Sequence, residues 1–223
     1  MKKYYEAYDE RYKTVHSVGE LWFGEYPSPI VSEIITKYGI KKENGILEIG
    51  CGEGRDAIFL LRNGYDVTAT DVSKQAIKRC KQFDKTYENN FKTLDFIEQK
   101  PSEKYSFIYA IAVLHMLVLQ KDRKAFFDFI GSSLKEDGVA LVTTMSDGET
   151  EFETDISKAF DKVERDFRGS KITVSNTSCK MVSDKTFKLE IISNGFNIIE
   201  FGHTEIKDHF SDLAYAVIKK NKS

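Results

Sequence analysis

The sequence feature that most constrains this chain is a cluster of glycines between a short apolar run and an amphipathic segment. Residues 46–56 read ILEIGCGEGRD, so Gly50, Gly52 and Gly54 occupy alternate positions directly after the apolar run. Glycine permits a tight turn with positive φ, and it lets a ligand approach the backbone where a Cβ would obstruct it. Amides at the start of a following helix would point at such a ligand. The cluster therefore predicts a ligand-binding loop between a first strand and a first helix.

The rest of the chain alternates between buried strand patterns and amphipathic helix patterns. This alternation is typical of βαβ units and predicts a doubly wound, Rossmann-like α/β sandwich of three layers. We expect a seven-stranded, mostly parallel sheet that ends in an antiparallel C-terminal strand. The predicted strands are NGILEIG, YDVTATD, NFKTLDF, KYSFIYAIAV, KEDGVALVTTM, NIIEFG and LAYAVIKK; the predicted helices are GEGRDAIFLLRNGY, VSKQAIKRCKQF with Ser73 as its N-cap, KDRKAFFDFIGSSL and DKTFKLEIISNGF.

Length and composition fit one domain, and two segments of it depart from the alternation. The chain has 223 residues, of which 41% are hydrophobic, and this is an ordinary size for a single core. We therefore predict one domain over residues 1–223. Residues 1–40, which are rich in tyrosine, read as a helical cap outside the first strand. Residues 146–183 are polar and follow the predicted fifth strand, so they read as an insert on the substrate side of the sheet.

Charge, hydropathy and cysteine content argue against several other classes of protein. The net charge is −2 and basic residues are scattered, so we expect no nucleic-acid partner. The longest apolar stretch, residues 107–119, is shorter than the ~20 residues of a membrane span, and the start MKKYYEAYDERYK lacks the apolar core of a signal peptide. We therefore expect no membrane partner. Three cysteines without a CxxC pair predict no disulfide framework and no metal site, and favour a cytoplasmic protein.

The spacing of the glycines bears on which ligand the loop binds. Dinucleotide-binding loops follow the pattern GxGxxG, whereas here the third glycine is Gly54 and Arg55 follows it. A phosphate-binding GxxxxGK[ST] loop is also absent from the sequence. Glu48 lies two residues before Gly50, and an acid at that point would repel a pyrophosphate. The same acid suits a ligand that carries an ammonium and a sulfonium.

These residues resemble those of a known family. EIGCGEG resembles motif I of the class I S-adenosylmethionine-dependent methyltransferases, and Asp71, at the end of the second predicted strand, matches their ribose-binding acid. LDF, residues 94–96, resembles the segment whose Asp accepts a hydrogen bond from the adenine amino group. AIAVLHML resembles the segment that lines the methionine end of the cofactor. Over residues 45–145 the match is closest to small-molecule enzymes of the tellurite-resistance and thiopurine type.

The resemblance implies a cofactor, S-adenosyl-L-methionine, a product, S-adenosyl-L-homocysteine, and a set of site residues. The implied acceptor is a small molecule that is methylated on O, N or S. The sequence assigns neither that acceptor nor an oligomeric state. The predicted cofactor-binding residues are Trp22, Glu48, Gly50, Cys51, Gly52, Arg55, Asp71, Val72, Asp95, Phe96 and Ala112.

Several alternatives stay open on the sequence alone. His115 follows a strongly apolar strand and is our candidate catalytic residue, as a substrate-orienting or proton-accepting group; a core histidine with satisfied hydrogen bonds is the structural alternative. An NAD- or nucleotide-sugar-dependent oxidoreductase would use the same sheet, although its glycine spacing differs. A non-catalytic cofactor-binding module is the third possibility.

Overall fold

The computed structural model describes residues 2–24, 26–206 and 210–221. The helices are α1 (Ala7–Ser17), α2 (Pro29–Lys37), α3 (Arg55–Arg62), α4 (Lys74–Phe83), α5 (Gln120–Ser133) and α6 (Asp184–Ser193). The strands are β1 (Ile46–Ile49), β2 (Val67–Asp71), β3 (Phe91–Thr93), β4 (Tyr105–Ala110), β5 (Leu134–Met145), β6 (Phe152–Glu153), β7 (Lys162–Phe167), β8 (Ser170–Ser175), β9 (Lys180–Met181), β10 (Phe196–Ile206) and β11 (Phe210–Lys220).

One sheet organises the described part of the chain. Its seven strands lie in the order β10-β11-β5-β4-β1-β2-β3. The ladders from β5 across to β3 are parallel, whereas β11 runs antiparallel to both β5 and β10. The predicted seven-stranded, mostly parallel sheet with an antiparallel C-terminal strand is thus confirmed.

Side chains alternate between the two faces of the sheet and build a separate core on each face. Ile46 packs with residues of α2, α3 and α4, whereas its neighbour Leu47 packs with residues of α5 and α6. The alternation follows from the period of two in a strand. It produces helix, sheet and helix layers, which confirms the predicted three-layer sandwich.

Local signals set the helix ends near the site. Gly54, at φ +84°, precedes α3 directly, and α3 ends at Arg62, followed by Asn63 as its C-cap and by Gly64 with a positive φ. The Ser73 hydroxyl accepts a hydrogen bond of 3.1 Å from the Ala76 amide, so the predicted N-cap of α4 is present. Both helices therefore begin immediately after the carboxyl end of a sheet strand.

The two segments that depart from the alternation pack against each other. Residues 1–40 contain α1 and α2, and the polar stretch 146–183 forms the β7–β8 hairpin and the short β6–β9 ladder. The Arg11 side chain of α1 is buried and donates from Nη2 to the carbonyl oxygens of Ser175 and Asn176, at 2.7 and 2.6 Å. We refer to residues 1–40 as the cap and to residues 146–183 as the insert.

Among the described residues, no helix combines the length and the apolar content that crossing a bilayer requires.

A buried ion pair fixes the turn that follows β4. Arg123 of α5 is 1% exposed and forms two hydrogen bonds of 2.6 Å with the Glu190 carboxylate of α6. Its Nη1 donates to the carbonyl oxygens of Leu114 and Leu117, at 2.8 and 3.1 Å. One side chain therefore joins two helices to the turn that carries His115.

Replacing Arg123 with Leu should destabilise the fold by ~3–5 kcal/mol, because Glu190 would be left as a buried charge without its partner. Lys124→Met is the matched control, since Lys124 pairs with Asp128 on the exposed face of the same helix and such pairs contribute only ~0.2–1 kcal/mol. Urea unfolding monitored by circular dichroism measures both variants. Equal midpoints for the two variants would contradict this role of Arg123.

Candidate active site

The carboxyl ends of β1, β2, β3 and β4 open into one cleft, which we call the first cleft. It holds about 1010 Å³ of empty space, its open mouth included. Of the predicted cofactor residues, those that line it are Glu48, Gly50, Cys51, Gly52, Arg55, Asp71, Val72, Asp95, Phe96 and Ala112. Because these residues come from separate strands, only the parallel topology brings them to one edge of the sheet.

The glycine loop lies against side chains that leave no room for a Cβ. Gly50 has φ +72°, and a Cβ there would overlap the Val113 side chain. A Cβ at Gly52 would lie 2.7 Å from the Tyr12 hydroxyl oxygen. Both neighbours line the first cleft. The loop therefore presents bare backbone to the cleft, as the sequence predicts.

Asp71 connects the glycine loop to the end of β2. Its Oδ2 accepts from the Gly52 amide at 2.8 Å, and its Oδ1 accepts from the Ser73 amide at 2.7 Å. Each oxygen keeps a lone pair for a further donor. Burial raises the pKa of the Asp71 carboxyl to about 6, although the two amides oppose the rise. Asp71 is thus a carboxylate at neutral pH that can accept from a ligand.

Glu48 lies deeper, below the loop. Its carboxylate accepts from the Tyr109 hydroxyl at 3.0 Å. Burial, and next the charge of Asp56, raise the pKa of Glu48 well above its usual range. Glu48 therefore carries less negative charge than its position in the sequence suggests, and it acts chiefly as a hydrogen-bonding group.

Asp95 is already in contact with the cap. Its Oδ2 accepts from Lys3 Nζ at 2.7 Å and from the Tyr5 hydroxyl at 3.1 Å, and its Oδ1 accepts from the Ile97 amide at 3.0 Å. Phe96 and Leu94 beside it add apolar surface to the cleft. The amino-terminal residues of the chain therefore cover this end of the first cleft.

Glu53, the second variable residue of the glycine loop, is a site residue that was not predicted. Its carboxylate accepts from the backbone amides of Trp22 and Phe23, at 2.9 and 2.8 Å, and lies 2.8 Å from His16 Nε2. Glu53 thereby fixes the cap to the loop. No local signal could reveal this role, because the partners lie about thirty residues earlier in the chain.

Arg55 and Asp56 also hold the cap in place. Asp56 accepts from the amide and the hydroxyl of Ser28, at 2.5 and 2.9 Å, and Arg55 Nη2 donates to the same hydroxyl at 2.9 Å. The pair is therefore not a simple surface contact on α3. Tyr8 and Tyr12, which are not among the predicted site residues, line the first cleft as well, and so does Met116 of the segment AIAVLHML.

Comparison with known proteins identifies the family of the chain. Residues 23–200 match the family described as a methyltransferase domain. The chain belongs to this methyltransferase family. It is 34% identical over 82 residues to EEF1A lysine methyltransferase 2 of Danio rerio, which covers 34% of this chain and 35% of that protein. The chain spans less than half the length of the curated relatives it matches.

Solved structures show the same fold. The 1,6-didemethyltoxoflavin-N1-methyltransferase of Burkholderia thailandensis has a TM-score of 0.71 at 12% identity, with 94% of this chain and 85% of that chain covered. A TehB-like S-adenosylmethionine-dependent methyltransferase from Corynebacterium glutamicum has a TM-score of 0.58 at 17% identity, with 97% and 98% covered. The predicted methyltransferase family is confirmed, and the cofactor that this family implies is S-adenosyl-L-methionine.

The residues of the first cleft fit that cofactor. Its described lining contains the carboxyl groups of Glu48, Glu53, Asp56, Asp71 and Asp95 and a single basic residue, Arg55. Such a surplus of acids suits a cationic ligand. The bare backbone at Gly50 allows close approach, and apolar walls flank the acids.

Trp22 and His115 lie in an adjoining cavity, which we call the second cleft. It holds about 2540 Å³ of empty space, open solvent included, between the cap and the insert. Trp22 stacks on Phe167 of the hairpin, with ring centroids 5.7 Å apart and planes 7° from parallel. Trp22 therefore lies apart from the other predicted cofactor residues, because its ring stacks on a residue of the insert.

The position of His115 limits its chemistry. The residue is 2% exposed and lies in the turn Leu114–Met116 at the edge of the second cleft. Burial, and next the charge of Arg123, lower the pKa of His115 to about 3. The imidazole is thus neutral at physiological pH and can orient a polar group, whereas it holds a proton poorly.

Replacing Asp71 with Asn should remove a pH dependence from S-adenosylhomocysteine binding. With a pKa of about 6, the wild-type carboxylate gains a proton as the pH falls, so affinity should decrease by up to about tenfold per pH unit below that value. Asp71→Asn should bind about tenfold more weakly at neutral pH and show a flat profile. Calorimetric titration between about pH 5 and 7 measures this. The control is Asp84→Asn, since Asp84 does not line the first cleft, pairs with Arg62 and has a lowered pKa; a wild-type profile in Asp71→Asn would exclude the assignment.

Gly50→Ala should bind S-adenosylhomocysteine at least about tenfold more weakly, because the added Cβ forces Val113 to move within the cleft. Gly169→Ala is the control: Gly169 has φ +80°, but a Cβ there meets nothing within 4 Å. The two variants share the backbone cost and differ in the overlap. Calorimetric affinities with circular dichroism as a folding check compare them, and equal affinities would show that the loop tolerates a side chain.

Proposed function

We propose that this enzyme transfers the methyl group of S-adenosylmethionine to a small-molecule acceptor bound in the second cleft. The observation that carries the proposal is that the two clefts share part of their lining, namely Tyr8, Phe23, Gly24 and Met116. A molecule in the second cleft therefore borders the cofactor site directly. The cap and the insert, which in this proposal belong to a single domain over residues 1–223, supply the walls.

Several of the predicted cofactor residues receive a role in this proposal. Asp71 accepts hydrogen bonds from the ribose hydroxyls, and Asp95 accepts from the adenine amino group. Val72 and Phe96 flank the adenine, and the amides around Gly50 border the methionine end. Trp22 serves the acceptor, because its ring lies in the second cleft.

The chemistry places few demands on the protein. Bound S-adenosylmethionine supplies a methyl group that its positively charged sulfur already activates. The enzyme's part is to hold the acceptor atom in line with that carbon, and such positioning can lower a barrier by ~7–11 kcal/mol. The acceptor atom forms a bond to the methyl carbon, the sulfur–methyl bond breaks with its electron pair moving to sulfur, and a proton carried by the acceptor passes to solvent.

Two side chains at the second cleft, His115 and Cys179, do not accept that proton at neutral pH. His115 has a pKa near 3, and burial raises the pKa of the Cys179 thiol to about 11. General-base catalysis works best with a pKa near the operating pH. His115 is therefore assigned the role of orienting the acceptor through its neutral imidazole.

Comparison favours a small acceptor but also supplies a second candidate. The Burkholderia structure contains 1,6-didemethyltoxoflavin, a small molecule. The Danio rerio relative is named for a lysine of EEF1A, so a protein lysine is the second candidate acceptor. The cap and the insert favour the first, because they cover the acceptor side with side chains from two segments.

Methyl-labelled S-adenosylmethionine discriminates between the candidates. A cell extract is divided by ultrafiltration into a low-molecular-mass fraction and a protein fraction, and each is incubated with the enzyme. We expect S-adenosylhomocysteine release and label in the small-molecule fraction, both lost in Asp71→Ala. The control Asp84→Ala should retain activity. Label confined to the protein fraction would overturn the small-molecule acceptor in favour of a protein one.

A further inference from the structure

The two adjoining clefts carry opposite charge. Carboxyl groups dominate the first cleft, whereas the described lining of the second contains Arg11, Arg79, Arg165 and Arg168 against Glu20 and Asp166. The chain as a whole has a net charge of −2. The basic character of the second cleft is therefore a local feature that the overall composition does not explain.

These arginines differ in how far the protein already uses them. Arg11 is buried and donates to the turn at residues 175–177, and Arg168 pairs with Glu20 at 2.6 Å. Arg165 donates to the side-chain amide oxygen of Asn176 at 3.1 Å, and Arg79 lies over the Phe83 ring at 5.0 Å. Within the described part of the chain, neither Arg165 nor Arg79 has a carboxylate partner. Both are thus available to an anion.

Two of these arginines, Arg11 and Arg165, also repel each other, and a bound anion would reduce that repulsion. Arg11 and Arg165 both donate to Asn176, to its main-chain and side-chain oxygens at 2.6 and 3.1 Å, so their guanidinium groups lie near each other. Burial and the charge of Arg165 lower the pKa of Arg11. An anion bound at Arg165 would offset that repulsion and gain charge-assisted hydrogen bonds, which are the strong class of hydrogen bond in proteins. Arginine suits carboxylate and phosphate because its planar donors match their paired oxygens.

Aromatic rings form the other part of this surface. Trp22 and Phe167 lie nearly parallel, Tyr8 lies beside Arg11, and Met116 and Met145 complete the wall. Indole and phenyl faces pack well against flat rings. Methionine side chains adapt to irregular shapes. The surface therefore suits a planar ring better than a flexible chain.

We infer that the acceptor is a planar aromatic molecule with an anionic substituent, whose ring lies beside Trp22 and Phe167 and whose anion is bound by Arg165 and Arg79. This inference rests on the proposed function, which it narrows to a class of substrate. A protonated lysine side chain is the opposite case, since the basic lining would repel it.

The chain contains its own probe of this cleft, because Trp22 is its single tryptophan. Quenching of Trp22 fluorescence is measured with para-nitrobenzoate and with its neutral counterpart para-nitrobenzamide, in the presence of saturating S-adenosylhomocysteine. Cyclohexanecarboxylate, an anion without an aromatic ring, is tested as a competitor. Para-nitrophenyl phosphate distinguishes a phosphate from a carboxylate as the preferred anion. We expect the aromatic anions to bind about tenfold more tightly than the amide.

Variants of single charges on the hairpin and on α4 complete the test. Arg165→Gln and Arg79→Gln should each weaken binding of the preferred anion about tenfold and leave the amide unchanged. Lys171→Gln is the control, because it removes one positive charge from the same hairpin at a residue paired with Glu164. Equal binding of anion and amide, no binding of the anion, or equal effects of Arg165→Gln and Lys171→Gln would overturn the inference. Failure of the proposed function is recognised separately: in that case the wild-type enzyme does not bind S-adenosylhomocysteine in a calorimetric titration.

Discussion

The hydrogen bond from the Gly52 amide to the Asp71 carboxylate is the contact on which the site depends. It joins the loop after β1 to the end of β2, so two neighbouring strand ends hold one ligand surface. Glu53, the next residue in the loop, accepts from the amides of Trp22 and Phe23. Arg11 of the cap in turn donates to the carbonyl oxygens of the insert. A chain of hydrogen bonds therefore runs from the sheet through the loop and the cap to the insert.

This connectivity explains why the clefts adjoin. The cap is held on the glycine loop by buried carboxylates, and the insert is held on the cap by a buried guanidinium. Thr177 in the insert has φ +67°, which a β-branched residue rarely adopts. Its hydroxyl accepts from Arg11 at 3.0 Å, and its amide donates to the Ala159 carbonyl at 2.8 Å. The surroundings thus hold a strained backbone beside the second cleft, as is common at functional sites.

The sequence predicted what local patterns determine. The glycine loop, the strand ending at Asp71 and the Ser73 cap depend on residues within a few positions, and the structure contains all three. The position of the site could be predicted from the topology, because the carboxyl ends of parallel strands lie at the same edge of the sheet. The roles of Glu53 and Arg11 could not be predicted, since their partners are distant in the chain. For the β7–β8 hairpin the sequence contains one local signal, Gly169, in a tight two-residue turn where Arg168 and Gly169 both have positive φ.

The buried carboxyl groups of the first cleft destabilise the ligand-free fold at neutral pH. The pKa of Asp71 rises from its usual value to about 6 in the folded state, so the folded state binds a proton more readily than the unfolded chain does. The stabilisation linked to Asp71 is therefore fully present below its unfolded pKa and is lost as the pH rises through about 6. At neutral pH the fold holds a desolvated carboxylate, and Glu48 shifts in the same direction. A cationic cofactor offsets this cost, because opposite charge favours the ionised acid. In the proposed function, the same acids that weaken the ligand-free fold would strengthen its binding of S-adenosylmethionine, and the basic residues of the second cleft would bind the acceptor.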